Sequence, residues 1–247
     1  DALTVLDGLG IKSTEVFLTT LSEYEEPFAR LLASRRGRLF VNSVHVLNTQ
    51  FEPQLFAQHP RARADAFAIL HRAMSAAHIF GAERYTFHAI TRLKKNSAPA
   101  DCGKLAANFC EIADSCAEHG VKLCLETVHW ALYNAPGIFS AIRRGCPQLL
   151  GVLDVKQARL SCYPYQMYIK DMEGAISHVH LSDVDDAGHI CLPGKGAFDF
   201  ETCLRRLKDA GFDGALLIEV YPHDYKEYGE LKQACDYLRS EERRVGK

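Results

Sequence analysis

Two apolar patterns alternate along the chain. Short runs rich in aliphatic and β-branched residues are followed by longer stretches in which apolar residues recur every three or four positions. The first pattern fits a strand buried on both faces, the second a helix with one apolar side. Residues 1–10 read as the second half of a helix closed by Gly8 or Gly10. Thr14 to Thr19 is strand-like, and 22–35 is helical, with Tyr24, Phe28, Leu31 and Leu32 on one side. Residues 39–47, LFVNSVHVL, read as a strand. Phe67, Leu70, Met74 and Ala77 mark a helix over 62–80 that Ala82 ends, and 84–90 is the next strand. Leu105, Phe109, Ile112 and Cys116 mark a helix that stops at Gly120. Next come a strand to Glu126, a short helix opened near Pro136, a strand to Asp154, a helical stretch at 164–173 and a strand carrying His180. A polar loop, 183–197, ends in LPGKG and is expected to shape a rim. Asp199 is placed to N-cap a helix with Phe200, Leu204 and Leu207 inward, which Gly211 closes. A strand to Glu219 and a helix with Tyr228, Leu231, Cys235 and Leu238 follow. The tail EERRVGK has no apolar face and is expected to fray.

Alternation without a linker predicts a parallel sheet with helices outside it. A length of 247 residues suits one α/β domain over 1–247, a (β/α)8 TIM barrel. Only seven strands are counted, and the chain opens inside the first helix. The expectation is a barrel whose first strand is missing from this chain, with an open barrel as the alternative. Hydrophobic residues at 47% and charged residues at 24% allow a full core. No apolar run reaches the ~18 residues of a membrane helix, and no signal peptide opens the chain, so a cytoplasmic protein is expected. The formal net charge of −2 argues against a general polyanion binder. The nine cysteines form no C-x-x-C pair and are expected to be reduced.

The chemistry gathers at strand ends. Glu126, Asp154, His180 and Glu219 each close or nearly close an apolar run, about one β/α unit apart. In a β/α barrel that places all four at the C-terminal rim. Three carboxylates and an imidazole suit a hard or borderline divalent ion, Mn²⁺, Mg²⁺, Co²⁺ or Zn²⁺. Converging buried carboxylates would repel one another without a cation between them. No cysteine stands at these ends, against a structural thiolate zinc site. His45 and His88 also end strands and are candidates to line the pocket. Trp130, in the loop after Glu126, is a candidate wall for a sugar. His129 enters the same loop, where an aromatic could equally cover the barrel rim. His178 is expected to face the helix layer, and His59, His71, His78, His119 and His223 to be surface or packing residues.

LET at 125–127, VLD at 152–154, HVHLSD at 178–183, LPGKG at 192–196 and LLIEVY at 216–221 resemble the xylose isomerase-like barrels. That family contains sugar phosphate isomerases and epimerases, ketose 3-epimerases and inosose dehydratases, with endonuclease IV as a distant relative. The likeness covers essentially the whole chain from residue 10. It implies Glu126, Asp154, His180 and Glu219 as metal ligands, Mn²⁺ first among the metals, and Glu126 and Glu219 as the acid/base pair on opposite faces of the substrate. It also implies His45 and His88 as pocket residues. One departure is Gln157, which stands where members usually carry His three residues after the Asp; it can hydrogen-bond a substrate hydroxyl but cannot shuttle a proton. His189 is a candidate substrate contact, ahead of Lys156 and Arg159, and Lys195 a candidate phosphate contact. The implied function is a metal-dependent sugar (phosphate) isomerase or epimerase of carbohydrate metabolism, moving a proton beside a carbonyl through an enediolate. The alternatives are an inosose-type dehydratase, a metal-dependent hydrolase of abasic DNA like endonuclease IV, and a non-catalytic sugar sensor. Gln157, the net charge and the lack of a basic stripe weigh against the hydrolase. The partner expected is a small sugar or polyol, not nucleic acid or membrane. Relatives are often dimers or tetramers, so a homo-oligomer is a further expectation.

Overall fold

Among the described residues, seven parallel strands form one curved sheet in chain order, each followed by helix. The computed structural model describes residues 2–91 and 101–246. Helix α1 (Ala2–Gly8) leads into β1 (Ser13–Leu18), then α2 (Glu26–Arg35), β2 (Phe40–Val46), α3 (Pro60–Phe80), β3 (Arg84–Phe87) and α4 (Cys102–Ala117). The second half runs β4 (Lys122–Glu126), α5 (Ile138–Arg143), β5 (Leu150–Asp154), α6 (Val155–Leu160), α7 (Tyr165–Asp171) and β6 (Ile176–Leu181). A small ribbon, β7 (Asp183–Val184) with β8 (Ile190–Cys191), precedes α8 (Phe200–Asp209), β9 (Ala215–Ile218) and α9 (Tyr228–Arg244). The sheet order is β1-β2-β3-β4-β5-β6-β9, and every pair is parallel. β1 and β9 approach each other without pairing, so the barrel is nearly closed.

The core lies between sheet and helices, where Leu70, Met74, Phe87, Phe109, Ile112, Phe139, Ile142, Leu204 and Leu207 are buried. The helix ends follow local chemistry. Asp101 and Asp199 cap α4 and α8 by accepting from Lys104 N and Thr202 N. Gly81, at φ +85°, ends α3 one residue before the expected Ala82, because the left-handed cap suits glycine.

The structure departs from the sequence expectation in four places. Residues 155–160 form a helix of their own directly after β5, and the 183–197 loop holds the β7–β8 ribbon. The tail does not fray where expected: α9 runs to Arg244, Glu241 and Val245 are buried, and Lys208 Nζ bonds Val245 O at 2.9 Å. His178 is fully buried inside the barrel, not against the helices. Residues two apart on a strand share a face, so His178 must point the same way as His180. None of the nine cysteines is in a disulfide.

Candidate functional site

Period-two alternation builds the site in two tiers. Each strand sends one side chain inward at its C-terminal end and another two residues earlier. The upper tier holds His45 on β2, His88 just past β3, Glu126 ending β4, Asp154 ending β5, His180 on β6 and Glu219 just past β9. The lower tier includes Glu15, Ser43, Thr86 and His178, which hydrogen-bond or ion-pair among themselves.

Glu126, Asp154, His180 and Glu219 each offer a donor atom, and these atoms lie within 4.8 Å of one another. His180 Nδ1 is 2.8 Å from Glu126 Oε1 and 2.6 Å from Glu219 Oε2. Asp154 caps α6, with Oδ1 accepting from Gln157 N at 2.9 Å. Its Oδ2 is buried and has no hydrogen-bond partner. Lys156 Nζ, 3.7 Å away, is too far to hydrogen-bond it, and a buried carboxylate oxygen without a hydrogen bond is costly; a cation among the four donors would relieve it. The four residues therefore fit a divalent metal.

The charges are interdependent. Burial works against ionisation of Glu126, yet His180 and the other histidines hold its carboxyl well below the usual range. Glu219 is likewise held low by His180, against burial. For Asp154, burial and then the Glu219 charge push the carboxyl well above its ordinary value. Burial alone would lower His180, but Glu15, Glu219 and Glu126 raise it well above the ordinary imidazole. Lys156 supplies a second cation, 2.8 Å from Glu219 Oε1 and 3.7 Å from Asp154 Oδ2.

His45 and His88 stand beside this cluster. His88 Nε2 is 2.8 Å from Glu126 Oε2 and His45 Nε2 is 3.6 Å from it. Burial opposes protonation of His45, but Glu126 and Glu15 raise it to about 9. With Glu126 they form a second set of donors within 4.8 Å. Trp130 packs edge-on to His88 at 4.9 Å between ring centroids. Gln157 lines the same cavity, and its side-chain carbonyl accepts from His129 N and lies 2.6 Å from His129 Nδ1. The cavity measures about 1090 Å³, large because it continues from the rim into the seam between β1 and β9.

His189 is not brought to this cavity. It sits on the β7–β8 turn, 80% exposed, 3.3 Å from Asp185. Lys195 is ion-paired with Glu230, and Arg159 donates to Gly188 O. The LPGKG segment folds back on the ribbon: the Asp183 carboxylate accepts from Val184 N, Gly194 N, Gly196 N and Phe198 N, closing the loop on itself.

Two charged residues at the site escape the sequence reading, and Lys156, expected there only as a lesser substrate contact, instead pairs with Glu219 and Asp154. Glu15 sits inside a strand-like run, where an interior carboxylate was the available signal. Glu52 is fully buried and accepts from Tyr85 Oη, Asn48 Nδ2, His88 N and Ala89 N. It thereby fixes the backbone that carries His88, including Ala89 at φ +65°. No sequence pattern marks Glu52, because most of its partners come from a distant stretch, residues 85–89.

Residues 5–241 match the family described as xylose isomerase-like TIM barrel. Fructoselysine 3-epimerase of Escherichia coli O157:H7 is 24% identical over 147 residues, 56% of this chain and 53% of that protein. The chain thus spans about half the length of this curated relative. Among solved structures, L-ribulose 3-epimerase superposes with a TM-score of 0.78 at 17% identity, over 98% of this chain and 88% of the other. The IolI protein, solved with a bound zinc atom, superposes with a TM-score of 0.76 at 18% identity, over 98% and 91%. These superpositions establish the shared barrel.

Proposed function

The chain belongs to the xylose isomerase-like TIM barrel family, and on that premise we propose that it is a metal-dependent sugar isomerase or epimerase acting next to a carbonyl. The observation that carries this reading is the convergence of Glu126, Asp154, His180 and Glu219, with Asp154 Oδ2 buried and without a hydrogen bond. A divalent ion held there, Mn²⁺ first in this oxygen-dominated set, would polarise a substrate carbonyl and acidify the adjacent C–H. Glu126 and Glu219 form the acid/base pair: one takes the proton to give an enediolate, and the other returns a proton to the opposite face. Glu219 is the more accessible, with 37% of its side chain exposed. Glu126 is enclosed by His45, His88 and His180, which keep it ionised. Trp130, Gln157, His45 and His88 bound the space for the sugar. The relatives' activities, 3-epimerisation of fructoselysine and of L-ribulose, support a ketose substrate. Dehydration of an inosose would share the first proton transfer.

The test is solvent exchange. The protein is incubated in D₂O with Mn²⁺ and a panel of ketoses, ketose phosphates and inososes, and read by NMR. Deuterium is expected beside the carbonyl of at least one compound and is lost on chelation. Glu126→Gln and Glu219→Gln should each slow exchange by about a hundredfold or more. Exchange within threefold of wild type in both variants would sink the assignment. The second donor set, His45, His88 and Glu126, keeps hydrolysis of abasic DNA as the other reading. Cleavage of an abasic duplex without any sugar exchange would favour it.

A further inference from the structure

The reaction proposed above leaves one carboxylate inside the barrel without a role. Glu15 lies on β1, inward-facing and one tier below the rim cluster. Its Oε2 accepts from Ser43 Oγ at 2.5 Å and from Thr86 Oγ1. His178 Nε2 is 3.6 Å from the same oxygen. The other oxygen, Oε1, is 3.2 Å from His180 Nε2, without an aligned N–H···O bond. His180 therefore stands between two sets of carboxylates: Nδ1 faces Glu126 and Glu219, and Nε2 faces Glu15.

An imidazole binds a cation through an unprotonated nitrogen. Which nitrogen is free depends on the partner of the other one. A carboxylate facing Nε2 keeps the proton there and leaves Nδ1 as the ligand atom. Ser43 and Thr86 matter because they hold one oxygen of Glu15 from two neighbouring strands, so the other oxygen stays aimed at the ring. A carboxylate placed only to fill the barrel would need no such clamp, and an apolar side chain would do that more cheaply.

We infer that Glu15 is the positioning residue of the site: clamped by the Ser43 and Thr86 hydroxyls, it holds the Nε2–H of His180 and so presents Nδ1 to the metal. This rests on the reading of His180 as a ligand. The experiment compares wild type, Glu15→Gln and Glu15→Ala. Mn²⁺ dissociation constants are measured by EPR titration, the melting of the metal-free proteins by circular dichroism, and ring ¹⁵N shifts on ¹⁵N-histidine protein loaded with Zn²⁺. Wild type should show His180 coordinated through Nδ1 with Nε2 protonated. Glu15→Ala should bind Mn²⁺ about 10- to 100-fold more weakly, whereas Glu15→Gln, whose carbonyl still accepts from Nε2–H, should stay within about fivefold. Wild-type coordination through Nε2, or a Glu15→Ala constant within twofold of wild type, overturns the inference while the metal reading stands. Failure of wild type to bind Mn²⁺ overturns the metal reading and the inference with it. If Glu15→Ala does not fold, the wild-type ring shifts and the Glu15→Gln constant decide, a loss beyond tenfold in Glu15→Gln counting against positioning by the hydrogen bond.

Discussion

Metal binding at this site should expel protons, and the number follows from the geometry. Without a cation, a proton on His180 Nδ1 would sit between Glu126 and Glu219, whose nearest oxygens are 2.8 and 2.6 Å away. Burial opposes that proton, but the surrounding carboxylates raise the imidazole well above its ordinary value. Asp154, raised by burial and by Glu219, is placed to hold a second. Glu126 and Glu219 are held low and have none to give. A ligand nitrogen or oxygen must be bare to coordinate, so binding should release about one to two protons. Higher pH removes the competing proton, so affinity should rise with pH. Between pH 6.5 and 7.5 the dissociation constant should tighten about ten- to a hundredfold. At a metal concentration of about a thousand times that constant, the fold gains about 4 kcal/mol. For 247 residues at about 2.1 cal/mol/K each, the unfolding entropy is about 0.5 kcal/mol/K, which gives a rise in Tm of about 8 °C. Calorimetric titration in two buffers of different ionisation enthalpy counts the protons, and a thermal melt reads the stabilisation. A dissociation constant independent of pH, with no protons released, would refute the arrangement of charges described here.

Other consequences are mutational. Asp199→Ala removes the acceptor for Thr202 N and should cost about 1 kcal/mol in urea unfolding, with Mn²⁺ affinity unchanged. Glu52→Ala strands four buried donors and should cost at least about 3 kcal/mol, with the loss in exchange activity exceeding that predicted from the unfolded fraction, because His88 is released as well. Gly214→Ala would drive a Cβ into the backbone oxygen of Ser177 and should give little soluble protein on expression. Phe109→Ala, in a fully buried position against Phe56 and Phe87, should cost about 3–5 kcal/mol by the same unfolding assay.

The barrel was legible because its strands are buried on both faces and its helices on one, and those two periods are written directly in the chain. The upper tier was legible for a related reason: an ionisable residue at the end of an apolar run is conspicuous, as at Glu126, Asp154 and Glu219. The lower tier was harder to see. Ser43 and Thr86 look like ordinary strand residues, and their roles depend on which strands lie side by side. His178 was readable from its spacing to His180, since a two-residue step keeps the same face; the parity was misassigned. Glu52 could not be reached from local pattern, since a buried carboxylate is recognised by its donors, and these come from residues 48, 85, 88 and 89. The fate of the tail was hidden too: Val245 is held by the fit of α9 against α8 through Lys208, not by periodicity.

The seam between β1 and β9 has a consequence for how the molecule opens. Among the described residues, β1 pairs with β2 alone and β9 with β6 alone, whereas β4 and β5 are paired on both sides. Strands at the two edges give up half as many ladder bonds as β4 or β5 when they detach. Amides of β1 and β9 should therefore exchange with solvent through local opening, while those of β4 and β5 wait for unfolding of the whole domain.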